Sequence, residues 1–275
     1  MSYSVNTNAG AFVALQNLHK TNKMLGEVQT RINTGLKVSS AKDDAATFAI
    51  AQNLRADVSG LGAVKGSLAR ASSSLDVAIA AAEAVSDLLI EMKEKAVAAK
   101  DSGLDTASRT ALSQDFAQLR DQISSIIENA EFNGVNAVRA DGRAISAITD
   151  PNGGKNLAIA AQDLSLGGAN VSISATQAIG TQALASVAVD QLTAAIDNVN
   201  AVLSKFGAGA KRIAIQKSFV AKLSDTIEVG IGNLVDADLA KEAANLQALQ
   251  VKQQLGLQAL SIANQSPSSI LSLFR

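Results

Sequence analysis

Apolar residues recur at intervals of three, four and seven along most of this chain, the spacing that gathers them on one side of a helix. The first such stripe is Phe12, Leu15, Leu18, Leu25, Val28 and Ile32. Short polar side chains at positions 6–8 stand where they can cap free amides, and Gly35 stands where a left-handed residue would end the helix. A second helix is predicted to start at Asp43 and Asp44, whose charges suit the positive end of its dipole, and to carry Ala45, Phe48, Ile50 and Leu54. Gly60, Gly62 and Gly66 weaken its continuation and allow a kink. The pattern resumes through Leu68, Leu75, Ile79, Val85 and Leu89. After a break at Asp101-Ser-Gly103, the clearest amphipathic helix of the chain carries Leu112, Phe116, Leu119, Ile123 and Ile127.

Asn133-Gly134 then marks a tight turn. From Val135 to Gly180 the helical period is lost, and turn-forming pairs alternate with stretches such as Val171-Ser-Ile173-Ser that read as short strands. Helix returns near Thr181 to Ala183 with Leu192, Ile196, Val199, Leu203 and Phe206, and continues through Ile213, Val220, Leu223 and Ile227 past Gly207 and Gly209. Asp236 is placed to cap a last helix, on which Leu239, Leu246, Leu249, Leu257 and Leu260 share the helical spacing. Gln247, Gln250, Gln253, Gln254 and Gln258 fill much of its remaining surface. The expected fold is mainly α: an elongated antiparallel helical bundle or coiled coil, folded back on itself, with a small β-rich excursion in mid-chain.

Charge changes this picture at the two ends. No side chain from Met1 to Leu18 carries a formal charge, and none does from Gln253 to Phe274. Chain ends are normally wet and charged, so neutral helices there call for burial beyond what one pair of stripes supplies. Further copies of the same chain are the natural partners.

Composition narrows the classes of function. The chain has 275 residues, 47 % of them hydrophobic but only 3 % aromatic, which suits long helices in close contact. A net charge of -1 supplies no basic field for nucleic acid. The uncharged stretch from Leu164 to Val189 is interrupted throughout by Ser, Thr, Gln, Asn and Gly, so no membrane insertion is expected. The opening Met1-Ser-Tyr-Ser-Val-Asn6 does not read as an ordinary secretory signal. There is no Cys, and His19 is the one histidine. With no phosphate-binding glycine motif and no metal-ligand constellation either, no catalytic, cofactor or metal site is expected. Asp43-Asp44 could be read as a paired acid or cation site, but helix-start electrostatics is the plainer account.

Several ordered motifs resemble those of bacterial flagellin. They are Val5-Asn-Thr-Asn-Ala9, Arg31-Ile-Asn-Thr-Gly-Leu-Lys37, Ala41-Lys-Asp-Asp-Ala-Ala46 followed by Ala49-Ile-Ala51, and the turn Phe132-Asn-Gly134. The end, Ala259-Leu-Ser-Ile-Ala-Asn-Gln-Ser-Pro-Ser-Ser-Ile-Leu-Ser-Leu-Phe-Arg275, is similar to the closing signature of that family. The resemblance implies an inner coiled-coil domain made by 1–36 and 232–275, a helical domain made by 37–133 and 183–231, and a short β-hairpin and loop region at 134–182 in place of large outer domains. It implies a subunit that self-assembles into the helical, extracellular flagellar filament used for swimming. Leu18, Leu25, Val28, Ile32, Leu246, Leu249, Leu257, Leu260, Ile270 and Leu273 would be its inner assembly residues.

The implied partners are copies of the same chain, sister flagellins, an export chaperone guarding the C-terminal part, and the hook-associated and cap proteins. Export would run through the flagellar type III channel without a cleaved signal. Ser165, Ser172, Ser174, Thr176 and Thr181 are candidates for the O-glycosylation seen in some flagellins. Glu91 and Lys95 align with an Arg and a Leu in flagellins that animal innate receptors detect, so poor receptor activation is expected. Two other readings stay open here: a hook–filament junction protein and a secreted helical effector.

Overall fold

The computed structural model describes residues 7–271, with side chains to residue 265. Its elements run in the order α1 (Ala9–Thr34), α2 (Ala45–Ala99), α3 (Thr106–Asn129), β1 (Ile145–Ile148), β2 (Asn156–Ile159), α4 (Gln182–Val235) and α5 (Leu239–Leu271). The chain is mainly α, as its periodicity requires, and divides into two compact units. One comprises Met1–Ala56 with Thr226–Arg275, and the other Asp57–Asp225.

Heptad spacing builds the core of the 57–225 unit. On α2 the buried positions include Leu61, Val64, Leu68, Ala71, Leu75, Ala78, Ala82, Val85, Leu89, Met92, Ala96 and Ala99. On α4 they include Ala185, Ala188, Leu192, Ala195, Val199, Val202, Phe206, Ile213 and Val220. Alternating steps of three and four keep such a stripe facing one partner along a long helix. From α3, Phe116, Ile123 and Ile127 are buried, three of the residues that made its stripe legible.

Local chemistry sets the joints. Asp105 caps α3 by accepting from the Ser108 amide at 2.6 Å. Arg109 then reaches back to close the end of α2, its Nε donating to the Ala99 carbonyl at 3.0 Å and its Nη2 to that of Asp101 at 2.8 Å. The Ala99 carbonyl at the end of α2 lacks a helical partner and the guanidinium satisfies it, while that of Asp101 also accepts from the Leu104 amide at 3.4 Å. At the far end of α3, Asn133 and Gly134 have φ of 51° and 77°, and Phe132 and Val135 exchange both backbone hydrogen bonds. This is the expected tight turn. The buried Asn136 side chain follows, donating to the Ile127 carbonyl at 2.7 Å and accepting from the Val138 and Arg139 amides.

Three expectations are corrected. The glycines at 60, 62 and 66 do not break α2, which runs without interruption from Ala45 to Ala99. Gly60 instead serves close packing, because a Cβ there would lie 2.8 Å from both the Cβ and the carbonyl oxygen of Pro151. A Cβ at Gly209 on α4 would likewise meet Ile159 Cδ1 at 2.8 Å. The two glycines let the hairpin region lie against both helices, and that burial outweighs a propensity loss of about 1 kcal/mol each.

The second correction concerns the strands. They are β1 and β2, paired antiparallel with Ile145 opposite Ile159 and Ile148 opposite Asn156. Val171 and Ile173 are buried and Ser172 and Ser174 exposed, the alternation the pattern suggested, yet Val171 forms only an isolated bridge with Leu166. A period of two describes which side chains are buried; a strand also needs a neighbour for its backbone. Third, α5 is capped by Asp238, whose Oδ1 accepts from the Ala240 and Lys241 amides at 3.1 Å, and not by Asp236.

Candidate assembly interface

In the unit of the chain ends, α1 begins at Asn8, whose Oδ1 accepts from the Ala11 amide at 3.0 Å, and stops at Gly35 with φ of 71°. The next residues are tied to the far end of the chain. The amides of Lys37 and Val38 donate to the Val235 carbonyl, and that of Ala237 donates to Gly35. Asp44 caps α2 through the Ala46 and Thr47 amides, while Asp43 Oδ2 accepts from the amides and hydroxyls of Ser39 and Ser40. These bonds hold both carboxyls below the usual range, Asp43 chiefly through the Ser39 hydroxyl and Asp44 chiefly through that of Thr47. Asp44 is occupied by helix capping, the plainer of the two readings, and Asp43 by the Ser39-Ser40 segment of the joint before the helix.

Helices α1 and α5 lie antiparallel along a common seam. Contacts run in register from one end to the other: Asn8 Nδ2 donates to the Ala263 carbonyl at 2.6 Å, and Gln253 Nε2 donates to Asn22 Oδ1 at 2.8 Å. At the other end, Arg31 Nη1 meets Glu242 Oε1 at 3.3 Å. Glu242 is only 8 % exposed, so the guanidinium offsets the loss of hydration of a nearly dry carboxylate.

On α5 the sheltered positions are Glu242, Leu246, Leu249, Gln253, Gly256, Leu260 and Ala263, alternating by four and three. On α1 they are Ala11, Ala14, Leu18, Thr21, Leu25, Val28 and Ile32, with the same alternation. This is a coiled-coil repeat, with Gly256 giving room to a leucine. A Cβ at Gly256 would stand 3.3 Å from Leu18 Cδ1.

Of the expected assembly residues, Leu18, Leu25, Val28, Ile32, Leu246, Leu249 and Leu260 fall in this seam. Leu257 does not: it is 53 % exposed on another side of α5, as Leu239, Phe12 and Leu15 are exposed off the seam. Following leucines selected Leu257, whereas the strict heptad step from Leu249 selects Gly256. Gln253 and Gly256 were missed because neither is apolar enough to mark a stripe, though the heptad interval would have found both. The side chains of Ile270 and Leu273 lie outside the described residues.

The seam leaves much apolar surface uncovered. Phe12, Val13, Val251, Leu255, Leu257 and Ile262 are each more than half exposed. Lys241, Glu242 and Lys252 are the only charged residues of α5. A helix pair with this surface has the character of one part of a larger assembly.

The candidate modification positions are spread over several environments. Ser165 is half-buried and its Oγ accepts from the Ala140 amide at 3.0 Å, and Thr181 is exposed and accepts from the Leu184 amide at the start of α4. Ser172, Ser174 and Thr176 are exposed, with the last two hydroxyls 3.1 Å apart. Among the described residues no group of His, Cys, Asp and Glu is placed to hold a metal, and no helix is long and apolar enough to cross a membrane.

A heptad-built helical protein with an incompletely covered, nearly neutral pair of terminal helices belongs to the class of self-assembling structural subunits. Comparison with known proteins narrows the class. Residues 5–140 match the bacterial flagellin N-terminal helical region and residues 189–274 the bacterial flagellin C-terminal helical region. Flagellin FljM of Caulobacter vibrioides is 48 % identical over 272 residues, covering 99 % of this chain and 98 % of the relative. Flagellin FljJ of the same organism is 45 % identical over 280 residues, covering 100 % and 99 %. A flagellin of Brucella melitensis is 35 % identical over 288 residues, covering 99 % of each chain.

Two solved structures share the fold. Bacillus cereus flagellin superposes with a TM-score of 0.51 at 21 % identity, covering 56 % of this chain and 88 % of that one. A putative flagellar hook-associated protein from Vibrio parahaemolyticus gives 0.59 at 12 % identity, covering 70 % and 100 %. The chain belongs to the bacterial flagellin family, in a short form without large outer domains. It is a structural subunit of the extracellular flagellar filament, and the alternatives of a junction protein or a secreted effector are not favoured.

Proposed function

We propose that the α1–α5 pair forms the inner layer of the filament and that residues 37–133 and 183–231 form the layer around it, with 134–182 as a small excursion. The observation that carries this reading is the exposed apolar surface of the paired terminal helices, with Ile262 71 % and Phe12 59 % exposed. Water-exposed faces of this kind gain stability only when another surface covers them, at about 25 cal/mol per Å² of apolar area. The many related flagellins of one organism support sister flagellins as copolymer partners. The ends order fully on assembly, because alone they bury too little to offset the entropy of fixing a long helix. An export chaperone that covers the C-terminal helix before assembly, and hook-associated and cap proteins that meet the same neutral surfaces at the filament ends, complete the set of partners.

The chain carries out no catalysis in this reading: it lacks Cys, has a single His and works through its surfaces. O-glycosylation is assigned to the exposed members of the candidate set, Ser172, Ser174, Thr176 and Thr181, ahead of the half-buried Ser165; an unmodified intact mass from native filaments ends that assignment. Glu91 and Lys95 make the monomer a poor agonist of innate receptors, and strong activation by purified monomer would remove the idea. Electron microscopy of purified, reassembled chain tests the central reading. Long helical filaments are expected, with the termini on the inside, and a chain that stays monomeric under all assembly conditions overturns it.

A further inference from the structure

Two exposed helix faces in the 57–225 unit have opposite charge and matching periodicity. On α2, Asp76, Glu83, Asp87 and Glu94 alternate with Ala80, Ile90 and Val97 along a stripe that advances by four and three and is exposed at every step. Ile90 and Val97 are 54 % and 52 % exposed. Glu91 adds a further acid on one flank of the stripe, and the half-buried Lys93 stands on the other.

On α4 the corresponding stripe carries the opposite sign. Lys205, Arg212 and Lys222 alternate with Ala201, Ala208, Ile215 and Phe219 by the same steps, again exposed throughout. Ile215 and Phe219 are 69 % and 56 % exposed, and Lys211 adds a flanking cation. No acidic residue occurs between Asp197 and Asp225. Lys205 donates to Gln162 Oε1 at 2.9 Å, which leaves its charge at the surface.

Laid antiparallel, the stripes match in both charge and size. With Arg212 opposite Asp87, Lys205 falls opposite Glu94 and Lys222 opposite Asp76. In the same register Phe219 meets Ala80, Ile90 meets Ala208, and Val97 meets Ala201. Large residues thus face small ones, as interdigitating helix faces require. The single mismatch sets Ile215 against Glu83.

The two helices also run in opposite senses within the chain. Arg109 near the start of α3 bonds the end of α2, and one turn later Ser113 Oγ accepts from the Ile179 amide just before α4. The end of α2 therefore lies beside the start of α4. Copies related by simple repetition keep the sense of each helix, so α2 of one copy meets α4 of the next antiparallel.

We infer that the acidic stripe of α2 on one subunit docks on the basic stripe of α4 on a neighbouring copy of this chain, forming a heterologous contact between filament subunits. Because the patches differ, the contact does not close on a pair and propagates. Charge and apolar fit together select the register: a one-heptad shift keeps Arg212 on Glu94 and Lys222 on Glu83 but brings Phe219 onto Asp87, and a parallel alignment brings Lys205 and Lys222 onto Ala80 and Val97. This inference rests on the filament reading and assigns one of its interfaces.

Polymerisation of purified full-length chains, followed by sedimentation and electron microscopy, tests it. Arg212→Glu and Asp87→Arg each place like charges across the contact, and each is expected to raise the critical concentration at least about tenfold. Both side chains are exposed, so the circular dichroism of the monomers should match that of the wild type. An equimolar mixture of the two variants restores opposite charges when they alternate, and is expected to assemble within about twofold of the wild type into filaments containing both chains. Assembly of either variant alone as readily as the wild type overturns the interface, as does a mixture that stays unassembled while the wild type polymerises. If the wild type itself forms no filaments, the filament reading falls, a result distinct from failure of this contact.

Discussion

The 57–225 unit and the unit of the chain ends use the same heptad spacing to different extents. In the first, α2 and α4 each place a long row of side chains out of contact with water, with Phe116, Phe206, Leu68 and Leu89 wholly buried. In the second, the α1–α5 seam shelters one row of side chains on each helix, and on α1 only Val28 is buried. A pattern in the sequence thus sets which residues align, while the number of neighbouring elements sets how much that alignment stabilises. The first unit has helices α2, α3 and α4 with a hairpin region; the terminal helices have each other, and in the proposed filament packing they gain other copies.

That contrast is most directly broken by charge at the terminal helices. Replacing both Leu257 and Leu260 by Asp is expected to abolish filament formation altogether, because one carboxylate enters the seam and the other a face awaiting a neighbouring copy. The melting transition of the 57–225 unit should be unchanged. Normal filaments from that variant, seen by electron microscopy, would contradict the assembly role of both positions.

Phe206→Ala makes the complementary test in the well-covered unit. Deleting a wholly buried aromatic side chain is expected to cost about 3–5 kcal/mol, read as a lower denaturation midpoint. A smaller effect separates glycines that pack from glycines that do not. Gly60→Val should destabilise by about 1–3 kcal/mol because its Cβ collides with Pro151. Gly62→Ala, with nothing within 4 Å of the added carbon, should stabilise by up to about 1 kcal/mol. Thermal melts of the two variants should move in opposite directions.

The smallest effect is that of acid. Asp105 is held below its ordinary value of 3.8, first by the Ser108 amide, so the unfolded chain binds this proton more readily than the folded one. Its contribution is therefore present above about pH 4 and lost as pH falls through the lowered folded value. Asp105→Asn keeps a good cap but removes the titration, and should flatten part of the stability loss measured between pH 4 and pH 2. An unchanged acid limb would deny the carboxylate this role.

The legible part of this protein was local. Asn8, Asp44 and Gly35 were readable as helix ends because capping joins a side chain to amides or carbonyls a few residues away. The Asn133-Gly134 turn and the stripe of α3 belong to the same short range. The neutral ends were legible too, and they pointed to assembly before any contact was known. Asp236 failed by two residues because either aspartate suits the position, and the backbone pairing of Leu36 with Asp236 leaves Asp238 to start the helix.

The sequence by itself determined that this chain is helical, where most helices begin and end, and that its terminal helices carry apolar stripes and few charges. Tertiary structure decided the rest: that α2 stays helical through its glycines, that β1 and β2 pair along a ladder while Val171-Ser-Ile173 makes only an isolated bridge with Leu166, and that Gly256 rather than Leu257 lies in the seam. The physical reason is range. Helix propensity and caps act over about one turn, whereas a seam or a strand pair joins segments whose register is set by the fit of whole faces. For α1 and α5 the bonded residues lie as far apart as Asn8 and Ala263, and only the folded chain could show which side of each helix turns inward.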